Sequence, residues 1–228
     1  PYSNLSGINL DGSILGFLNW RHSNLSGIDF TGIWSKSIEA SVFIGANLSN
    51  TNFEGIMFPN KNDQGHLIIY EFKMINGAHL ANKSLSELTS NVQIKKFFGS
   101  WVIAKKVVGN DLFLKYIRFN DFSKANLHNT NLSNADLTST FFTQADLTNA
   151  DLSNAILKGS NASKANLHNA NLSNADLTGV VFSQADFTNA DLSNAILSKT
   201  ILDNAIFNNV ILNGAILNCV NHPICIQE

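Results

Sequence analysis

Two histidines recur in one local setting. Ala-Asn-Leu-His-Asn occupies 125–129 and again 165–169, which makes His128 and His168 equivalents. Imidazole is the usual metal ligand and general base near neutral pH. If the intervening residues make two turns of a stacked structure, the two rings lie about 9.6 Å apart at strand spacing. A metal bonds its ligands at about 2 Å, so one ion cannot hold both, and they read as duplicated surface residues. His22, His66, His79 and His222 show no ligand spacing. Cys219 and Cys225 stand with five residues between them. Two cysteines make neither a disulfide framework nor a zinc set, and two free thiols are expected. The many Asp residues repeat in similar surroundings, whereas an acid–base pair needs dissimilar ones. No phosphate loop, nucleophile elbow or zinc spacing occurs. The expectation is therefore no catalytic residue, no metal site, no cofactor and no enzyme activity.

What positions these residues is a repeat. Residues 123–162 laid over 163–202 agree at 29 of 40 positions. Inside this lies a period of five that holds its frame from Asn120 to Cys219. Five fits neither the helical period of 3.6 nor the strand period of 2. Read every twenty residues, the central positions form columns: Leu132, Leu152, Leu172, Leu192, Leu212; then Leu137, Leu157, Leu177, Leu197, Leu217; then Leu127, Leu147, Leu167, Phe187, Phe207. The fourth column runs Phe122, Phe142, Ala162, Phe182, Leu202, and it lacks the small partner. Asn120, Thr140, Ser160, Val180 and Thr200 replace Ala there. The four columns are distinguishable, so a period of twenty residues is real. Five stacked coils of that period span about 24 Å at strand spacing.

These residues resemble the pentapeptide-repeat family, whose motif is Ala, Asp or Asn, Leu, then two variable positions. The resemblance implies an all-β solenoid, a right-handed quadrilateral β-helix, with the central Leu or Phe and the preceding Ala inside. It covers 120–219 throughout and parts of 3–58. In the N-terminal part Leu5, Leu10, Leu15, Trp20, Leu25 and Phe30 keep one frame. The frame shifts by three around Ile33–Ser35 and resumes at Ile38, Phe43, Leu48, Phe53 and Phe58. A bulge or loop near Trp34 and roughly eight coils in all are expected.

Between these parts the motif fades. Pro59, Asn60, Asn62, Asp63 and Gly65 make a turn-rich exit. Residues 67–73 read as a strand. Ser84 with Glu87 is a capping-box signature, and Leu85, Leu88, Val92, Phe98, Trp101 and Val102 recur near helical spacing, so a helix is expected within 84–106. A mixed α/β insert of strand plus helix is the leading reading. Pentapeptide-like matches at Ala78–Asn82 and Asn110–Leu114 keep a degenerate β-helix open. The insert carries nine Lys and Arg against four Asp and Glu. Insertions between coils often build a binding face, which makes Lys95, Lys96, Trp101, Lys105 and Lys106 candidate partner-binding residues. The resulting organisation is 1–58 irregular coils, 59–119 basic insert, 120–219 regular five-coil β-helix and 220–228 C-terminal tail or cap.

The last coil differs from the others. Ile201, Ile206, Ile211 and Ile216 stand where earlier coils mostly place Asp or Asn. Four outward isoleucines around one coil are costly in water. Either the tail with Val220, Pro223, Ile224 and Ile226 folds back over part of the belt, or a second chain covers it, which makes these residues a candidate dimer interface.

The 228 residues carry a formal charge of −2, which points to neither a nucleic-acid binder nor a strong acidic mimic. Residues 1–120 hold 11 cations and 8 carboxylates, and residues 121–228 hold 4 and 9, so the two parts differ in sign. No apolar run is long enough for a membrane-spanning helix, and no signal-peptide pattern occurs. Pro1 in place of Met is expected of an excised or processed fragment. The leading function is a non-enzymatic scaffold or protein-binding module, with a targeting region of a larger bacterial protein as one form, cytoplasmic or a secreted effector. The alternative, implied by family members that protect gyrase from quinolones, is a DNA mimic that binds a topoisomerase. Duplex DNA carries a charge every 1.7 Å or so, and a 24 Å rod would need about fourteen. The net −5 of residues 121–228 and the alternation of Asp with Asn down the outward columns fit that alternative less well.

Overall fold

The computed structural model describes residues 3–16, 19–34, 36, 38–39, 41–58, 69–74, 101–108, 111–117 and 120–225. The chain forms two compact units, Pro1–Pro59 with Asn120–Glu228, and Asn60–Phe119.

In the first unit the period of five becomes a four-walled coil. On one wall, parallel bridges join Asn4 to Asn24, Asn24 to Asn47, Asn47 to Asn126, Asn126 to Asp146, Asp146 to Asn166, Asn166 to Asp186 and Asp186 to Ile206. That is eight levels of one ladder. Between coils the spacing is twenty residues wherever the frame is unbroken. The three extra residues around Trp34 lie between Phe30 on one wall and Ile38 on the next. There Leu15 of β1 (Leu15–Gly16) pairs in parallel with Ile38 of β2 (Ile38–Glu39). Trp34 itself is 78% exposed. Most walls are only one bridged residue wide, because the chain turns a corner every five residues.

The corners explain the motif. The Asn or Asp before each central residue uses its side-chain oxygen to accept a backbone N–H two residues on, as from Thr148 to Asp146 Oδ1 at 3.1 Å and from Ser173 to Asn171 Oδ1 at 3.1 Å. Only the oxygen is needed, so Asp and Asn interchange. Two residues past the centre the backbone enters the left-handed region, with φ 55° at Asn129, 57° at Asn169 and 63° at Gly159. Gly and Asn tolerate that region best. The Asn side chains also run in ladders: Asn126 Nδ2 donates to Asn47 Oδ1 at 3.2 Å, and Asn169 Nδ2 to Asn149 Oδ1 at 3.1 Å.

Inside, the columns stack as single files. Leu132, Leu152, Leu172 and Leu192 are fully buried, as are Leu177 and Leu197. Each such leucine contributes about 2 kcal/mol by area removed from water, and each coil adds its own interface to the last. Toward the N-terminus the filling is aromatic: Phe30 stacks on Phe53 at 4.2 Å and Phe122 on Phe142 at 5.2 Å. On the fourth wall the polar residues that replace Ala are buried. Ser160 Oγ donates to the Leu137 carbonyl at 2.7 Å, and Thr200 Oγ1 to the Leu177 carbonyl at 2.8 Å.

The second unit contains a three-stranded antiparallel sheet of order β3-β5-β4, formed by β3 (Ile69–Met74), β4 (Trp101–Val108) and β5 (Asp111–Ile117). Its register sets Phe72 opposite Leu114 and Lys106 opposite Phe113. The expected strand at 67–73 overlaps β3. The helix expected within 84–106 is corrected over its last part: Trp101, Val102, Lys105 and Lys106 lie in β4. Val102, Ile103, Val107 and Val108 are β-branched and favour an extended strand. Gly109-Asn110 between β4 and β5 is the residue type of a two-residue hairpin link. Residues 84–100, and Lys95 and Lys96 with them, lie outside the described residues. Reading Asn110–Leu114 as a repeat is likewise overturned over 111–114: Leu112, Phe113 and Leu114 pair antiparallel with both neighbours, and Asp111 pairs with Val108.

Candidate docking surface at the C-terminal coil

The last coil is built like the others but has a neighbour on one side only. Its outward positions Ile206, Ile211 and Ile216 are 44%, 45% and 51% exposed, and Val220 of the tail is 44% exposed. Ile201 is partly covered; it bridges Val181 on one side and Val220 on the other. Behind this belt Phe207, Leu212 and Leu217 are only partly buried, although Phe187, Leu192 and Leu197 beneath them are fully so.

The backbone shows the same open edge. The N–H groups of Phe187, Leu192 and Leu197 donate to the carbonyls of Ile206, Ile211 and Ile216, each at 2.8 Å. One coil later, the N–H groups of Phe207, Leu212 and Leu217 meet no acceptor among the described residues. Three walls thus end in unpaired donors with an apolar belt outside them. An exposed edge of this kind is a template for pairing with another chain.

The fourth wall is closed by the tail. Leu202 N–H donates to the Val220 carbonyl at 3.1 Å, and Val220 N–H to the Thr200 carbonyl at 2.9 Å. The chain then turns, with the His222 ring 4.8 Å from Phe207 and with Ile224 and Cys225 packed on the core. The expectation of two free thiols is overturned here. Cys219 and Cys225 form a disulfide across a Cα–Cα distance of 5.0 Å, inside the range such bonds require. A count of two cysteines excludes only a framework. The reversal of the chain at 221–224, which brings the two together, leaves no sequence signal beyond Pro223.

The other sequence-predicted residues do not converge. Trp101, Lys105 and Lys106 lie on β4, an edge of the three-stranded order. His128 and His168 lie two coils apart on one wall with Thr148 between them, where Asn166 Nδ2 donates to Thr148 Oγ1 at 2.9 Å. Among the described residues no group of three His, Cys, Asp or Glu is close enough to share a metal, and no helix is long and apolar enough to cross a membrane. Two carboxyl groups sit below their ordinary range. At Asp29 the Thr31 hydroxyl and N–H hold the charged form. At Asp176 partial burial pushes upward and is outweighed by hydrogen bonds from Thr178 and Lys158, whose Nζ lies 2.9 Å away. Sequence reasoning did not anticipate the exposure of Ile14, at 80%. Its outward place in the frame was the available signal.

Comparison with known proteins follows the same frame. The family model of pentapeptide repeats matches in 8 copies over residues 120–154, 145–184 and 185–218. Residues 120–218 are therefore pentapeptide repeats. Among solved structures, a trypsin-treated variant of QnrB1, a plasmid-mediated fluoroquinolone resistance protein, aligns over 95% of this chain and 73% of its own at 15% identity and a TM-score of 0.51. A pentapeptide repeat protein of the Arabidopsis thaliana thylakoid lumen is 24% identical over 43% of this chain and 69% of its own, with a TM-score of 0.39. HetL of Nostoc, involved in heterocyst differentiation regulation, is 18% identical over 89% and 88%, with a TM-score of 0.24. At 15% identity the likeness to the QnrB1 variant concerns the fold alone, the right-handed quadrilateral β-helix. The comparison with curated proteins finds no match.

Proposed function

We propose that this chain is a non-enzymatic scaffold that docks another protein through its C-terminal coil, and that the first occupant of that coil is a second copy of the chain. The observation that carries this reading is the exposed belt of Ile206, Ile211 and Ile216 around the unpaired amides of Phe207, Leu212 and Leu217. A two-fold contact presents one patch to itself. An apolar belt meets itself without the charge mismatch that an Asp belt would bring. It also supplies what the open edge lacks, which is cover from water and backbone partners. The repeated Asp and Asn side chains are engaged in corner hydrogen bonds, so the long walls are regular surfaces rather than catalytic clefts.

The basic insert is a second place for a partner. Trp101, Lys105 and Lys106 lie on the edge strand β4, and a strand edge flanked by aromatic and basic residues suits a partner's extended acidic segment. Edge lysines also discourage uncontrolled strand addition, which favours a partner of opposite charge over self-association at this edge.

Sedimentation of the wild type and of Ile206→Asp with Ile211→Asp tests the first site. The dimer is expected to dissociate in the double variant, and an unchanged mass with a wild-type melt removes the reading. A supercoiling assay with a bacterial gyrase separates scaffold from topoisomerase-binding DNA mimic. Inhibition at micromolar protein, or rescue from a quinolone, would move the assignment to the mimic.

A further inference from the structure

We infer that the Cys219–Cys225 disulfide is a redox-operated latch on the end of the β-helix, and that its reduction by a dithiol lets the last coil open. In a solenoid each coil is held by its neighbours, and a terminal coil has only one. Here the terminal coil also leaves the amides of Phe207, Leu212 and Leu217 unpaired. Such an end is where local opening begins.

The tail opposes that opening at one wall. Val220 makes two backbone hydrogen bonds, to Leu202 and Thr200. Beyond it the disulfide, the packing of His222 on Phe207 at 4.8 Å and the contact of Ile224 and Cys225 with the core turn the chain back. The two sulfur residues are unequally accessible. Cys219 is 5% exposed, whereas Cys225 is only partly buried. A thiolate of the dithiol therefore attacks Cys225 Sγ. A bond forms between them, the Cys219–Cys225 bond breaks, and Cys219 leaves as a thiolate that takes a proton. The second thiol of the reductant then displaces Cys225 as a thiol. The reductant ends as a disulfide, having supplied two electrons and two protons.

Once reduced, the segment between the cysteines regains the freedom that closure removed. The two hydrogen bonds of Val220 and the packing of His222 and Ile224 then hold the tail without a covalent tie. Because the same coil bears the isoleucine belt, the latch also sets whether that belt is presented. This consequence rests on the docking reading above; the latch itself does not.

Hydrogen exchange read by mass spectrometry on the full chain tests it, first oxidised and then in dithiothreitol, with a gain of two hydrogens in the intact mass as proof of reduction. The amides of Phe187, Leu192, Leu197 and Leu202 donate into the last coil and tail. On reduction they should exchange roughly ten- to fiftyfold faster, the factor expected from releasing so short a loop, while Leu127 and Leu147 stay unchanged. Cys225→Ser should exchange like the reduced protein without any reductant. Unchanged exchange at those four amides after confirmed reduction overturns the latch, as does equal acceleration at Leu127 and Leu147. Two alkylatable thiols in protein never exposed to reductant also overturn it. The same exchange measured on Ile206→Asp with Ile211→Asp, the variant expected to be monomeric, should accelerate equally on reduction, so failure of the docking reading and failure of the latch are told apart.

Discussion

Phe43 and Phe122 stand 79 residues apart in sequence and stack ring on ring, with centroids 4.6 Å apart and planes 3° from parallel. They belong to successive coils on the fourth wall, where Val42 bridges Asp121. The insert thus leaves the β-helix at one corner and returns in register. Regular coils repeat at twenty residues, as in the hydrogen bond from Asn149 to Asn129, so the insert adds 59 residues to one coil. Deleting residues 60–118 joins Pro59 to Phe119 and restores five residues from Phe58 to Phe122. That variant is expected to keep a single cooperative melt within a few degrees of the parent. Phe122→Ala should cost about 3–5 kcal/mol. A deletion variant without cooperative melting would show that the coil needs the insert to form.

Two neighbouring buried hydroxyls on the fourth wall make a second test. Ser160 Oγ donates to the Leu137 carbonyl and accepts from Thr140 N–H at 3.1 Å, whereas Thr140 Oγ1 has no partner. An unpaired buried hydroxyl is a net cost, and a paired one is expensive to remove. Thr140→Val should be neutral or stabilising by up to about 1 kcal/mol, and Ser160→Ala should destabilise by about 1–2 kcal/mol. Val180 already fills the same column two coils on. Chemical denaturation of both variants reads the difference, and a Thr140→Val loss larger than that of Ser160→Ala would contradict the assignment.

The β-helix was legible because its physics is periodic. Leu132, Leu152 and Leu172 can stack only if the coil closes in twenty residues, and every coil repeats the same corner chemistry. Residues 59–119 lack that redundancy. A Trp101–Val102 pair fits helical spacing as well as it fits a strand, and pairing with β5 decides between them. The C-terminal site was half legible. The isoleucine belt stood out against the Asp and Asn of earlier coils, whereas the disulfide depends on a chain reversal that composition does not encode.

The corner conformation offers a test free of packing effects. Gly179 has φ 68° with open space where a Cβ would stand, and Lys199, one coil on in the same column, has φ 58°. The left-handed region costs an L side chain about 1–2 kcal/mol relative to glycine. Gly179→Ala should therefore destabilise by about 1 kcal/mol, and Lys199→Gly should stabilise by up to about 1 kcal/mol. Thermal melts suffice for both. Equal stability of all three proteins would mean that the corner tolerates either conformation.

Acid should weaken the coil corners in a defined window. Asp29 and Asp176 titrate below the ordinary carboxylate range in the folded chain, Asp29 through the Thr31 hydroxyl first, and Asp176 through hydrogen bonds that outweigh its partial burial. A folded-state value below the unfolded one means that the charged form is favoured by folding. The stabilisation is complete above the unfolded carboxylate value of about 3.9 and disappears as pH falls through the folded value. Stability should thus be flat from neutral pH to about 5 and decline below about 4. Asp176→Asn keeps a side-chain oxygen for the Thr178 N–H, which Asp176 accepts at 3.1 Å, but removes the charge that faces Lys158. Its melting temperature should fall less steeply than the wild type's between pH 5 and 3. Parallel declines would mean that the carboxylate at this corner acts only as a hydrogen-bond acceptor, and that its charge contributes nothing to the fold.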